Sequence, residues 1–245
     1  MNKQSETSRR WKRGLLASAV LAMTFAASSA SGAFLQFTAT GSDVNGPLSA
    51  QADFTTSDGQ LMVTLTNLLS ADDIRSSGQA LSDISFDLSD PIGTVGTTTA
   101  SGQFGDVSST GGVTYVSSDA ATGNTTPIRW FTNGTFGTSS ITLETIGGGK
   151  PSQMIGPFVA DGGTYTNANN GFQQFNSYVI GPGTFTLALT GVTGDTTISN
   201  VQFSFGTGPD TLVPGVPIPG IPEPAPLALI AVGLIALAAS KRKQR

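Results

Sequence analysis

The sequence predicts an all-β protein: an antiparallel β-sandwich of jelly-roll or immunoglobulin-like type, with an N-terminal signal peptide and a C-terminal transmembrane helix. Three observations carry this prediction. Apolar and polar residues alternate in many short runs between positions 34 and 208, which is typical of half-buried strands. Pairs of Gly, Asn and Asp separate these runs, as tight turns require. Apolar segments accompanied by basic residues stand at both ends of the 245-residue chain.

Residues 1–33 have the parts of a secretory signal peptide. Five basic residues and a single acid precede an apolar run from Gly14 to Ala27, and small residues follow it. We expect cleavage between positions 30 and 33. An uncleaved anchor is the alternative, but the apolar run is shorter than the roughly 20 residues that cross a bilayer. The pair Arg9-Arg10 would also suit twin-arginine export, yet general secretion is expected because Lys12 and Arg13 follow it.

The strands of region 34–208 are recognised by their alternation. Four runs show it most clearly, and each has apolar residues on one face and Thr, Ser, Asp or Asn on much of the other. The residues predicted to face the core are Leu61, Val63, Leu65, Ile84, Phe86, Leu88, Phe185, Leu187, Leu189, Val201, Phe203 and Phe205.

Turn signals predict how these strands connect. Asp58-Gly59 predicts a hairpin of 52–57 with 60–66, and a Gly-rich loop predicts a second hairpin of 184–190 with 198–205. One helical turn is expected in 68–82, with Ser70 as its N-cap. Further turns are expected at Asn45-Gly46, Gly111-Gly112, Asn133-Gly134 and 147–149.

The region between the two ends is acidic. Residues 34–221 hold 14 acids but only Arg75, Arg129 and Lys150 as bases, a net charge of −11, whereas the whole chain has −4. Nucleic acids and anionic lipids attract basic surfaces, so binding to either is not expected.

The composition also excludes most kinds of catalytic site. Without Cys or His the chain lacks the usual zinc ligands and the base of a nucleophilic triad. Paired carboxylates for glycoside hydrolysis could come from Asp72 with Asp73, or from Asp83 with Asp87 and Glu144. Solvated surface acids are the simpler interpretation, so we predict a non-enzymatic protein with no cofactor.

Two kinds of ligand remain compatible with the sequence. Asp43 with Asn45, and Asp72 with Asp73, offer the oxygen donors that Ca²⁺ prefers, although neither pair has EF-hand spacing. Trp130 and Tyr165 are the aromatics considered for stacking on a sugar. In an alternating strand only one of Trp130 and Phe131 faces outward, and a core Trp130 is the commoner outcome.

Proline dominates the segment that follows. Seven of the chain's 13 prolines lie between Pro209 and Pro226. This density predicts that 209–221 is an extended linker with neither helix nor sheet.

The last 24 residues combine three features in order. Pro222-Glu223-Pro224 precedes an apolar stretch, which Lys241, Arg242, Lys243 and Arg245 follow. A helix of the 16 residues 225–240 would be about 24 Å long, short of the roughly 30 Å hydrocarbon core. Such a helix suits a temporary stop, with the basic residues held on the cytoplasmic side.

Residues 222–245 resemble the PEP-CTERM sorting signal of Gram-negative surface proteins. The resemblance implies recognition of Pro222, Glu223 and Pro224 by an exosortase, a membrane-embedded transpeptidase-like enzyme, which removes the helix. An ordinary tail anchor behind a proline linker is the alternative. We therefore predict an exported protein that meets the secretion machinery, the inner membrane and an exosortase in turn. It then reaches the cell surface or an exopolysaccharide matrix.

Overall fold

The computed structural model describes residues 33–116, 130–135, 137–146, 151–208 and 211–219, and strands dominate them. The predicted transmembrane helix and all but Ala33 of the predicted signal peptide lie outside these residues. The strands are β1 (Phe34–Asp43), β2 (Gly46–Ser57), β3 (Gln60–Asn67), β4 (Leu81–Leu88), β5 (Val95–Ser101), β6 (Phe104–Val107), β7 (Val113–Val116), β8 (Phe131–Gly134), β9 (Ser140–Glu144), β10 (Ile155–Gly156), β11 (Tyr178–Ile180), β12 (Gly183–Leu189), β13 (Ile198–Phe205), β14 (Thr211–Pro214) and β15 (Val216–Ile218).

These strands form two sheets. Sheet A has the order β15-β1-β2-β3-β12-β5, and sheet B has the order β14-β13-β4-β10-β11-β6-β7 with β9 on β4 and β8 on β9. All strand pairs are antiparallel except β10 with β11, which is parallel. The all-β prediction is confirmed, and the pairing is antiparallel with this one exception.

The main core lies between the two sheets. Phe54 of sheet A meets Phe86 of sheet B edge to face, with ring centroids 5.0 Å apart. All twelve residues predicted to face the core are buried. A period of two places every second side chain of a strand on the same face, so the alternation was sufficient to identify the inward set.

A second apolar cluster joins strands of sheet B to the segment before β11. Its aromatic side chains are Tyr165, Phe172 and Tyr178, with centroids 5.6 Å and 4.7 Å apart in that order. A 3-10 helix, Phe172–Phe175, carries the middle ring. The polar run 161–178 is therefore packed through its aromatics.

The two predicted hairpins have different outcomes. β2 and β3 pair with Ser57 opposite Gln60, so Asp58-Gly59 is the predicted two-residue turn, and Gly59 has a φ of 73°. The second hairpin is wrong, because β12 pairs with β3 and β5 in sheet A while β13 pairs with β4 and β14 in sheet B. Alternation identifies the buried face of a strand, but either sheet of a sandwich can bury that face in the same core.

Two local predictions also need correction. Asn133-Gly134 is not a turn but the end of β8, opposite Thr142 and Ile141. The helical turn after β3 is Ser77–Gln79, and its N-cap is Ser76 instead of Ser70. Ser76 has Gln79 three positions later and forms a capping box with it, whereas the Ser70 hydroxyl donates to Asp73 at 2.8 Å.

The predicted linker 209–221 is wrong over its middle part. β14 pairs with β13 at the edge of sheet B, and β15 pairs with β1 at the edge of sheet A. Residues 211–218, called the strap below, thus cross from one sheet to the other. Proline is tolerated at sheet edges, where the position of a missing N–H faces away from the neighbouring strand.

Candidate functional site

The strap adds its two strands in a way that suits its prolines. In β15, Val216 lies opposite Thr38, Pro217 opposite Phe37 and Ile218 opposite Gln36. Successive residues of an edge strand direct their N–H groups alternately toward and away from the neighbour. Val216 and Ile218 can therefore donate to β1, while the proline occupies the position that needs no donor.

Gly215 makes the crossing between the sheets. Its N–H donates to the carbonyl of Val201 at 2.8 Å. A Cβ added at this position would lie 3.0 Å from Phe203 and from Val201, closer than ordinary packing allows. The absence of a side chain is thus what lets the strap lie directly against β13.

The strap covers apolar residues at the open edge of the sandwich. Val213 packs partly buried against the main core, as does Leu35 of β1. Beside the strap is a cleft of about 500 Å³, lined by residues of β1, β13 and the strap itself. Val216 and Ile218 remain exposed on its outer side.

Trp130 and Phe131 take the opposite orientations that alternation requires. Trp130 is 6% exposed, packs on Phe185 at 5.0 Å and donates its indole N–H to the carbonyl of Gln153 at 3.0 Å. It is a core residue, and its ring has no exposed face on which a sugar could stack. Phe131 is 53% exposed and lies opposite Glu144 of β9.

Tyr165 is buried as well. Its hydroxyl donates to the carbonyl of Pro157 at 2.6 Å, and burial raises the pKa of the phenol. This ring belongs to the second apolar cluster and cannot stack on a ligand from solvent. The suggestion that Trp130 or Tyr165 binds sugar is therefore not supported by their placement.

Asp43 and Asn45 lie together in the β1–β2 turn. Both Asp43 carboxylate oxygens accept hydrogen bonds: Oδ1 from the backbone N–H groups of Asn45 and Gly46, at 2.8 and 3.1 Å, and Oδ2 from Nδ2 of Asn45 at 2.8 Å. These hydrogen bonds stabilise the turn, and this structural role is sufficient to explain why Asp43 and Asn45 occur there.

Asp72 is held by residues of a distant segment, whereas Asp73 accepts from the Ser70 hydroxyl three positions earlier. The Thr166 hydroxyl donates to the Asp72 carboxylate, and Asn167 donates to the Asp72 carbonyl at 2.6 Å. Within the part of the chain that the structure describes, no three His, Cys, Asp or Glu side chains form a group that could hold a metal ion. The calcium prediction stays a prediction without a located site.

Asp83 and Glu144, named as a carboxylate pair, are brought together. They lie directly opposite on β4 and β9. Burial raises the pKa of Asp83 to about 6; the nearby Ser204 hydroxyl lowers it in part and the Glu144 charge raises it. Asn133 of β8 donates to Glu144, so these groups and Phe131 share one face of the β4–β9–β8 strands. Asp87, the third acid named with them, accepts from Asn200 at 2.8 Å.

A polar centre that the sequence did not reveal lies just before β4, between the end of β3 and the β1–β2 hairpin. Gln79 is fully buried; its Oε1 accepts from Arg75 N–H at 2.6 Å, and its Nε2 donates to the Pro47 carbonyl at 2.8 Å. Asn67 in turn donates to the carbonyl of Gln79 at 2.9 Å. These bonds tie the β1–β2 hairpin to the segment between β3 and β4. The capping-box spacing of Ser76 and Gln79 was the only sequence signal for it.

The predicted sorting residues Pro222, Glu223, Pro224, Lys241, Arg242, Lys243 and Arg245 lie outside the described residues. Among those the structure does describe, no helix is both long and apolar enough to cross a bilayer. The nearest described element is β15, whose last residue, Ile218, precedes Pro222 by four positions.

Comparison with known proteins identifies the C-terminal segment. Residues 220–243 match the family model described as the PEP-CTERM protein-sorting motif. No curated protein and no solved structure matches the chain. The match confirms the suspected sorting signal and supports export and association with the cell envelope through exosortase-type machinery. It covers the tail and leaves the role of the sandwich open.

Proposed function

From the PEP-CTERM motif that this chain carries at residues 220–243, we propose that it is a non-enzymatic protein of the cell surface or extracellular matrix. An exosortase-type enzyme recognises Pro222-Glu223-Pro224, removes the helix and the basic tail, and leaves the sandwich displayed or released. The sorting motif carries this proposal.

The chemistry of the sandwich agrees with this role. Arg75 is the only basic residue among those the structure describes, while acids are spread over both sheets and their loops. An acidic surface of this kind stays soluble at high concentration and does not adhere to nucleic acids or anionic lipids.

The mass of the protein in its host tests the proposal. We expect the mature chain, recovered from envelope and medium, to begin near residue 34 and to end near residue 224. An intact Arg245 in the mature membrane-bound form would instead make the tail a permanent anchor. That outcome would remove the sorting function.

A pair of variants shows which residues the enzyme reads. The triple change Pro222→Ala, Glu223→Ala, Pro224→Ala should leave the full-length precursor in the membrane. The control Pro226→Ala, two positions beyond the motif, should be cut as the wild type is. Equal cutting of both variants would place recognition elsewhere in the tail.

Carbohydrate binding is a second candidate, and one observation favours it. The exposed ring of Phe131 lies beside Glu144 and Asn133, which combines an apolar face with polar groups as sugar sites do. Phe131→Ala should then abolish retention on the exopolysaccharide of the host. Phe158→Ala, at another exposed phenylalanine, is the matched control. Equal retention of both variants and wild type would exclude this face.

Glycoside hydrolysis through the same face is the remaining alternative. It would require the raised pKa of Asp83 to serve protonation of a leaving group while Glu144 acts as the second carboxylate. We expect no release of reducing ends from the polysaccharide. Activity that is lost in Asp83→Asn, with the fold intact by circular dichroism, would overturn the non-enzymatic assignment.

A further inference from the structure

The strap ties the processing signal to the folded sandwich. β15 ends at Ile218, so only residues 219–221 separate the last strand from Pro222. Four residue steps extend at most about 14 Å. The motif must therefore lie within that distance of the edge of sheet A whenever the strap is paired. A processing enzyme would meet it beside the sandwich and not on a long free linker.

The beginning of the mature chain is anchored at the same place. The N–H of Ala33 donates to the carbonyl of Gly194 at 3.2 Å, and its carbonyl accepts from Thr56 at 3.2 Å. β1 and β15 are antiparallel, with Gln36 opposite Ile218. Phe34 lies two residues before Gln36 on β1, so its Cα atom is about 8 Å from the Cα atom of Ile218.

Both membrane-directed ends of the precursor therefore leave the sandwich at one rim. Position 33 is the last of the predicted signal peptide, and position 222 is the first of the sorting motif. Because they leave side by side, pairing of the strap with β1 requires no threading of a membrane-bound end. The sandwich can close while either end is still held in the membrane.

The charge of this rim suits a temporary contact with a membrane. The rim is formed by the β2–β3 turn, the loop after β4 and the loop between β12 and β13, which carry Asp58, Asp90 and Asp195. Arg75, the one basic residue of the described part, lies in the segment between β3 and β4, which packs at the opposite end. An acidic rim of this kind has no basic patch to attract phospholipid headgroups, so the tail alone holds the domain at the membrane until it is cut.

We propose that the exosortase-type enzyme acts on a precursor whose sandwich the strap has already closed, at the rim from which both ends of the chain leave. The inference rests on the proposed sorting function. The rim is then the surface of the folded domain that the enzyme meets, and the cut leaves β15 in the mature protein.

A disulfide across the strap tests the order of events. The chain has no cysteine, so the double variant Thr38→Cys, Val216→Cys introduces a single pair. The two residues are directly opposed at the outer face of β1 and β15, with a Cα separation of about 5.5 Å that a disulfide spans. The full-length protein is expressed in its host, and each single variant is the control.

Export, cross-linking and cutting are followed by pulse-chase, with intact mass measured before and after reduction. We expect the membrane-bound precursor to be cross-linked already, and its cutting to proceed within about twofold of the wild type. Accumulation of a cross-linked precursor, with normal cutting of the single variants, would show that the strap must open and would overturn the proposal. A cross-link that forms only after cutting, or never, would overturn it as well.

The same experiment separates this inference from the proposed function. If the wild type itself keeps Arg245, the sorting function fails and the enzyme's part in the inference falls with it. Formation of the cross-link would then report on strap closure alone. If the wild type is cut and only the locked variant is not, the sorting function stands and the inference fails.

Discussion

Asp83 is an acid that the fold keeps mostly out of water. It is 7% exposed, and its pKa is raised from 3.8 to about 6, first of all by burial. The folded protein therefore holds this proton more tightly than the unfolded chain does. The resulting stabilisation is fully present below about pH 4 and is lost as the pH rises through 6.

Asp83→Asn should remove this dependence. The variant keeps the shape of the side chain without its charge, so we expect stabilisation at pH 8 by up to about 3 kcal/mol. Urea unfolding between pH 4 and pH 8 is the measurement. Asp87→Asn, on the same strand, is the control and should leave the pH profile in place. A wild-type profile in Asp83→Asn would show that the charge of Asp83 is compensated in the folded state.

Gln79 is a fully buried polar side chain whose loss should lower the stability of the fold. Gln79→Ala leaves the partly buried N–H of Arg75 and carbonyl of Pro47 without the partner that the buried Gln79 side chain supplies. A buried group left unpaired costs about 1–3 kcal/mol, and these two are partly reached by water, so we expect a loss of roughly 2 kcal/mol in urea unfolding. Gln174→Ala, at an exposed glutamine, should stay within about 0.5 kcal/mol of the wild type. Similar values for both would mean that water replaces the Gln79 bonds.

The sequence predicted orientations at the residue scale well and burial of polar groups poorly. Alternation placed Leu61, Phe86 and Phe203 in the core, and it assigned opposite faces to Trp130 and Phe131. It could not foresee that Asp83, on the outward face of β4, would be covered. Covering depends on segments far away in the chain, which a local pattern does not contain.

At the scale of elements, the strap shows why a high proline content predicted a linker where the structure has two edge strands. A high density of proline argues against a central strand, but an edge strand needs N–H groups only at alternate positions. The prolines of β14 and β15 are three residues apart, Pro214 and Pro217, with Gly215 between the strands. Proline and glycine at this spacing are equally compatible with a free linker, so the composition did not distinguish a linker from two edge strands.

Gly215→Ala should weaken the strap selectively. The new Cβ would lie 3.0 Å from Phe203 and Val201, so the strap or β13 must shift. Overpacking of this kind costs about 1–3 kcal/mol, and hydrogen exchange should accelerate in β14 and β15 first. Gly134→Ala is the control, because its Cβ would meet ordinary contacts of 3.4 Å or more. Unchanged exchange in Gly215→Ala would show that the strap has room to adjust.

At the scale of the whole molecule, the sequence predicted the class and only part of the connectivity. It identified the sandwich, the Asp58-Gly59 hairpin and the sorting tail. It missed that β12 and β13 belong to different sheets, since the loop of residues 190–197 between them can serve either as a hairpin or as a crossing. Pairing across long sequence separations, such as β1 with β15, leaves no local signal at all.

The folded domain extends through the strap to residue 218. If residues 209–221 were a linker, chains ending at 208 and at 219 would be equally stable. β15 covers one edge of sheet A and β14 covers one edge of sheet B. Without them, buried Phe37 and half-buried Leu35 lose their cover. The chain 33–208 should therefore be less stable than 33–219 by several kcal/mol. It should also associate through the uncovered edges of β1 and β13. Urea unfolding and light scattering after size exclusion measure both effects. Identical unfolding midpoints and identical masses for the two chains would mean that the strap does not stabilise the sandwich. The processing enzyme could then bind its recognition motif in a free tail.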